Sequence, residues 1–206
     1  MKIQILDLKI NNLNSVAKAV SSFGFETEIV QFFDKGTKRA DLIVIPGVGH
    51  FKKASEVLDS CRFRDMVSEH LNQGMAVIGI CLGMQLMMQG SEESPPSSGL
   101  GIFPGRVKKL KASDSRVPNV GWNTIRFDEL DPFANLVQQN DCFYFTHSYY
   151  TEVPKDFIRA TSLHGKTSFP AIIKRNNVVG IQFHPEKSGL LGRQLLRKII
   201  VESIEK

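Results

Sequence analysis

Cys81 lies where an apolar run, Val77-Ile78-Gly79-Ile80, meets Leu82-Gly83-Met84-Gln85, the opening of a predicted helix. A thiol on such a strand-turn-helix elbow projects at the carboxyl end of a sheet. Backbone N–H groups at a helix start favour its thiolate and any negative charge developing beside it. The flanking Gly79 and Gly83 permit close backbone approach. The plain alternative is a small buried hydrophobe, the usual fate of an isolated cysteine. A nucleophilic thiol needs a base. Of the five histidines, His184 follows the apolar run Val178 to Phe183 and precedes Pro185-Glu186. In extended backbone residues two apart face the same way, so Glu186 can hold the imidazole's tautomer while His184 takes the thiol proton. A strand end carrying a surface ion pair is the competing reading. A third segment, Pro46-Gly47-Val48-Gly49-His50, is a glycine-rich turn after another apolar run. It lacks the Lys-Ser/Thr ending of a phosphate-binding P-loop. Placed beside Cys81, its N–H groups would form an oxyanion hole, and otherwise it is a tight turn.

These residues must be positioned by strands and helices, and the apolar patterning supplies them. Ile3 to Leu8 reads as a strand and Leu13 to Phe23 as an amphipathic helix. Phe25 to Val30 alternates like a strand, Leu42 to Ile45 is a buried strand stopped by Pro46-Gly47, and a single helix is predicted from Phe51 to Gln73. Met75 to Ile80 is the strand before the Cys81 elbow, with a helix from Cys81 to Met88. Strands alternating with helices imply βαβ units and a mainly parallel sheet. After a loop over Ser91 to Gly101 come short β-like runs: Arg106 to Leu110, Thr124 to Phe127, Cys142 to Thr146, Phe157 to Thr161, Ala171 to Lys174 and Val178 to Phe183. They add an antiparallel part, with a hairpin at Arg175-Asn176-Asn177 because Asn accepts positive φ. Leu190 to Ile204 closes the chain as an amphipathic helix. The predicted fold class is α/β, an open mostly parallel sheet flanked by helices, in one domain over residues 1–206.

Composition narrows the function classes. The chain has 206 residues, 42% hydrophobic and 23% charged, which suits a globular domain and excludes disordered, collagenous and disulfide-scaffold proteins. A formal charge of +5 spread over short groups points to solvated faces and no nucleic-acid partner. Three separated cysteines, none in a C-x-x-C pair, argue against disulfides and zinc and fit a reducing cytoplasm. No apolar run reaches 18 residues and the amino terminus meets Asp7 too early for a signal core, so neither membrane nor export is expected. No metal or cofactor is expected.

Pro46-Gly47-Val48-Gly49, Gly79-Ile80-Cys81-Leu82-Gly83-Met84-Gln85-Leu86 and Gln182-Phe183-His184-Pro185-Glu186-Lys187-Ser188, in this order, resemble the three signatures of the class I (triad) glutamine amidotransferases. Within that family, Pro118-Asn119-Val120-Gly121-Trp122-Asn123 and Tyr144-Phe145-Thr146-His147-Ser148-Tyr149-Tyr150 are similar to the glutaminase subunits of imidazole glycerol phosphate synthases. The likeness runs from Ile3 to about Arg197. It implies that Cys81 is the nucleophile, His184 the base and Glu186 its orienter, with the N–H groups of Gly49 and Leu82 as the oxyanion hole and a turn at Val48-Gly49 that rearranges. Gln85, Glu93, Ser148 and Tyr149 match positions that hold glutamine. Asn12, Asn119, Trp122 and Lys187 fall in segments facing the partner, a (β/α)8-barrel synthase/cyclase subunit in a heterodimer.

Two departures from the family pattern stand out. The first loop reads Asp7-Leu8-Lys9-Ile10-Asn11-Asn12-Leu13 where glycines are common; Asn11 can replace glycine at positive φ, but Lys9 alters the partner-facing surface. Asn119 stands where histidine is frequent. Both leave open a paralogous glutaminase feeding an amidino-sugar synthase. A non-catalytic regulatory homologue and a nucleotide-binding protein using the Gly47-Val48-Gly49 turn are the readings from other classes. The intact Cys81, His184 and Glu186 count against the first, and the missing phosphate-binding lysine against the second.

Overall fold

The computed structural model describes residues 1–9, 12–113, 115–128 and 131–205. Five parallel strands build the half of the sheet that carries the chemistry: β1 (Lys2–Leu6), β2 (Glu26–Val30), β3 (Leu42–Ile45), β4 (Ala76–Ile80) and, from much later in the chain, β12 (Val178–Ile181). Their order is β2-β1-β3-β4-β12, all in parallel register. Four antiparallel strands continue the sheet beyond β12: β11 (Thr167–Arg175), β10 (Ile158–His164), β7 (Asn119–Phe127) and β8 (Cys142–His147), nine strands in all. Asn176 has φ 53 in the two-residue turn joining β11 to β12, the predicted hairpin.

Both faces of the central strands β3, β4 and β12 are covered, which is why these strands are apolar without alternation. On β3, Leu42 and Val44 join one core with Val16, Val20, Leu195 and Ile199, while Ile43 and Ile45 join the other with Phe51, Leu58, Phe63 and Met84. The first core packs under α1 (Leu13–Ser21) and the closing helix α5 (Gly189–Ile204). The second lies under α2 (Phe51–Ser60), α3 (Phe63–Asn72) and α4 (Leu82–Leu86).

Several predicted elements need correction. The helix expected from Phe51 to Gln73 is two helices, broken at Arg62, whose φ of 57 is left-handed. The buried positions show the cause: Phe51, Ala54, Ser55 and Leu58 keep one phase, and Phe63, Met66, Val67 and His70 restart one residue late. A continuous helix would turn one of these sets away from the sheet. The helix after Cys81 ends at Leu86 instead of Met88. A second, three-stranded sheet of β5 (Gly90–Ser91), β6 (Arg106–Lys109) and β9 (Tyr149–Glu152) was not expected. It brings Tyr149 alongside Lys109. Asn11, for which a positive φ is expected, lies outside the described residues, but Lys9 (φ 57) and Asn12 (φ 90) on either side of that step are both left-handed. Among the described residues no helix is long and apolar enough to cross a membrane.

Candidate active site

Four carboxyl ends of parallel strands supply the site: Asn12 beyond β1, Pro46 to Gly49 beyond β3, Cys81 directly after β4, and His184 after β12. The elbow is held tightly. Cys81 has φ 54 and ψ −106, a region a side chain seldom occupies, and its N–H donates to the Ile181 carbonyl at 2.7 Å. A Cβ on Gly83 would lie 1.7 Å from the Ile45 carbonyl oxygen, and one on Gly79 would lie 2.6 Å from the Gly83 backbone. Only glycine lets α4 cross this closely over β3 and β4, which leaves the Cys81 side chain facing His184 and the cavity.

His184 is fixed from both sides. The Gln182 N–H donates to Ala171 O (2.9 Å) and the His184 N–H to Tyr144 O (2.9 Å), so the segment after β12 is tied to β11 and β8. The side chains of His184 and Glu186 are fully buried, with Nδ1 2.8 Å from Oε1. A carboxylate can only accept, so Nδ1 carries the hydrogen and Nε2 is left as the basic nitrogen. Nε2 has no conventional hydrogen bond to the described residues. Burial alone would push the His184 pKa down. The neighbouring Cys81 sulfur, together with the Glu186 carboxylate, outweighs it and raises it to about 10. Burial likewise opposes the Glu186 charge, but His184 and Asn12 hold that carboxyl below its usual range. The arrangement sets a protonatable imidazole beside the Cys81 sulfur, the pair of groups needed for nucleophilic attack followed by protonation of a leaving group.

Asn12, expected in a partner-facing segment, is half-buried and turns its amide towards the triad. Its Nδ2 donates to Glu186 Oε1 at 2.6 Å and lies 3.3 Å from His184 Nδ1, so its amide braces the carboxylate. An Asn just ahead of a helix usually caps it from extended backbone through its side-chain oxygen, whereas Asn12 is left-handed and makes no side-chain cap.

A cavity of about 200 Å³ opens beside Cys81, lined by Val48, Gly49, Leu82, Gln85, Glu93, Pro118, Thr146 to Tyr149. All four residues expected to hold glutamine therefore share one cavity with Cys81. Two are partly committed: Gln85 Nε2 donates to Tyr149 O (2.8 Å), and Glu93 Oε2 accepts the Phe51 N–H (2.7 Å). The Cys81 sulfur contacts Thr146 O and Gln182 Nε2, each at 3.9 Å. Larger hollows elsewhere, lined by Arg64 and Arg175 or by Lys38 and Arg62, contain none of these groups.

The expected oxyanion hole is not assembled. Gly49 (φ 128) and Leu82 both border the cavity, but the Leu82 N–H donates to the Gly47 carbonyl at 3.2 Å. A carbonyl from the turn occupies the donor that an oxyanion would use.

Of the residues expected at the partner, Trp122 is 56% exposed beside Val120 at 57%, and Lys187 is also exposed. Asn119 is not on the surface. It is 2% exposed, and its Nδ2 lies 3.0 Å from His147 Nε2, because β7 begins there and turns that side chain inward. Cys61 and Cys142 stand away from the site, after α2 and at the start of β8. Among the described residues no group of His, Cys, Asp and Glu could hold a metal ion.

Comparison with known proteins places the chain in a family. The chain is 37% identical over 201 residues to the imidazole glycerol phosphate synthase subunit HisH of Lactococcus lactis, covering 98% of both chains. It is 39% identical over 194 residues to the protein of that name from Bacillus cytotoxicus, covering 94% of this chain and 91% of that one. A crystal structure of a glutamine amidotransferase superimposes with a TM-score of 0.74 at 16% identity, covering 98% of each chain, which speaks for the fold alone. Residues 4–202 match the family described as glutamine amidotransferase class-I, and the chain belongs to that family.

Proposed function

We propose that this chain is the glutaminase subunit of an imidazole glycerol phosphate synthase, working as one domain in the cytoplasm. The Cys81 thiolate attacks the side-chain amide carbon of glutamine. His184, oriented by Glu186, gives its proton to the departing nitrogen as the C–N bond breaks, releasing ammonia and leaving a γ-glutamyl thioester. Water then attacks the thioester, His184 taking one of its protons and returning it to the sulfur as glutamate leaves. Gln85, Glu93, Ser148 and Tyr149 hold the substrate, and no metal or cofactor takes part. The ammonia passes to a (β/α)8-barrel cyclase subunit, docked over Trp122 and Lys187 in a heterodimer, which forms imidazole glycerol phosphate and aminoimidazole carboxamide ribotide in histidine biosynthesis. The observation that carries the reading is the buried Cys81, His184 and Glu186 set at the carboxyl ends of adjacent parallel strands, in a chain resembling HisH subunits over nearly its whole length.

The bond from Leu82 N–H to the Gly47 carbonyl supports a resting state. Docking of the cyclase with its ligand turns the Gly47-Val48-Gly49 segment so that this carbonyl withdraws and the donors of Gly49 and Leu82 face the oxyanion. One such donor is worth roughly 10²–10³ in rate. The test is glutamine turnover by the purified chain with and without the cyclase and its ligand. A rise of at least about tenfold, roughly 1.4 kcal/mol of coupling, is expected. Equal turnover alone and in complex would overturn the switch; no turnover in either would overturn the glutaminase. The exposed Lys9 favours a second reading, a glutaminase for an amidino-sugar synthase; stimulation by that synthase alone would reassign the partner.

A further inference from the structure

His147 is the last residue of β8 and lines the cavity, yet the steps above do not use it. Its ring is 6% exposed and packs edge-on to Phe169, with centroids 5.0 Å apart. Both nitrogens are committed. Nδ1 lies 2.9 Å from the Tyr149 carbonyl oxygen, which can only accept, so Nδ1 carries the hydrogen. Nε2 is then an acceptor and takes a hydrogen from Asn119 Nδ2 at 3.0 Å. Asn119 Oδ1 in turn accepts from Asn123 Nδ2 at 3.0 Å, which fixes the amide's orientation. The Tyr149 carbonyl also receives Gln85 Nε2 at 2.8 Å. A chain of hydrogen bonds therefore runs from β7, whose outer positions Val120 and Trp122 are exposed, through Asn119 and His147 to the Tyr149 carbonyl, which also accepts from Gln85 behind Cys81.

We propose that Asn119 and His147 are positioning residues for glutamine, setting the backbone of residues 147–149 and tying the cavity wall to the exposed face of β7 at Val120 and Trp122. His147 takes no part in proton transfer, since neither nitrogen is available to a substrate. Its burial pushes the ring pKa down to about 4, so it stays neutral and keeps one tautomer. Asn119 is well chosen for this: it donates to Nε2 and accepts from Asn123 at once, which a carboxylate could not do. The proposal rests on the glutaminase reading for its substrate, but its geometry can be tested separately.

The experiment has two arms. In the first, ¹⁵N NMR of the full chain reads the His147 tautomer; a Nδ1–H ring that stays neutral at pH 6 is expected, and a Nε2–H ring or an imidazolium would overturn the chain of bonds whatever the protein's activity. In the second, Asn119→Ala is assayed in complex with the cyclase. Leaving Nε2 without its donor should raise KM for glutamine about tenfold, with kcat within about threefold and the cyclase's turnover of added ammonia unchanged. An unchanged KM, or a fall in kcat alone, would overturn the positioning role while native turnover leaves the glutaminase reading intact. Should Asn119→Ala fail to fold, Asn123→Ala, removing only the next donor, is expected to raise KM by about twofold to threefold, and no change there would count against the proposal.

Discussion

Exchanging Glu186 for glutamine removes one buried charge while leaving the volume nearly unchanged, so its effect reads the electrostatics of the triad and not a cavity. The carboxylate lies 2.8 Å from His184 Nδ1 and 2.6 Å from Asn12 Nδ2, both on the same oxygen. An amide can present either end. With its oxygen inward it keeps both bonds; with its nitrogen inward it would meet the Asn12 NH₂ group and force the imidazole hydrogen onto Nε2, facing the thiol. Asn12 therefore selects the oxygen-inward form, and the loss is that of charge. Hydrogen bonds to charged groups exceed neutral ones by about 1 kcal/mol, and two charges at this separation in an effective dielectric of about 20 interact by about 6 kcal/mol, so the cost lies between these bounds. We expect kcat for glutamine to fall roughly 10²–10³-fold, about 2.7–4 kcal/mol, with KM within about twofold. The double variant Asn12→Ala/Glu186→Gln frees the nitrogen-inward form and should approach the roughly 10⁴-fold loss of a triad with the wrong tautomer. Without the carboxylate the His184 pKa drops from about 10, and the alkaline limb of the rate profile moves to lower pH. Steady-state assays of the complex across pH decide it. A single variant within about threefold of wild type would refute the reasoning.

Two further outcomes test the framework around the site. Gly83→Ala places a Cβ 1.7 Å from the Ile45 carbonyl oxygen, a backbone atom that cannot yield, so denaturant unfolding should show a loss of more than about 3 kcal/mol or no folded protein. The pKa of His147 falls from 6.5 to about 4 on folding, and that of His70 is lowered as well, chiefly by burial. The unfolded chain therefore binds these protons first, and stability should decline as pH falls from about 6.5 to 4, by about 3 kcal/mol from His147 alone, with His147→Gln flattening that part of the curve in urea titrations.

What could be read from the sequence was local. The Cys81 elbow and the spacing from His184 to Glu186 are legible because each depends on a few adjacent residues, and the apolar runs of β3, β4 and β12 are legible because both their faces are buried. The break at Arg62 has no glycine or proline to announce it; its trace is the one-residue slip of the apolar phase between Leu58 and Phe63. β9 was missed because Tyr149 and Tyr150 follow almost directly on β8 in sequence while pairing elsewhere in space, with β6. The inward turns of Asn12 and Asn119 depend on contacts with Glu186 and His147 that are 174 and 28 residues away, which no local pattern reports.

The most direct measurement replaces Cys81 with serine in the chain assembled with its cyclase and follows both ammonia sources. A hydroxyl at this elbow lacks an accessible anion, so glutamine-dependent turnover should fall by several orders of magnitude while turnover with added ammonia stays at the wild-type rate. Retention of glutamine-dependent turnover by Cys81→Ser would contradict the account.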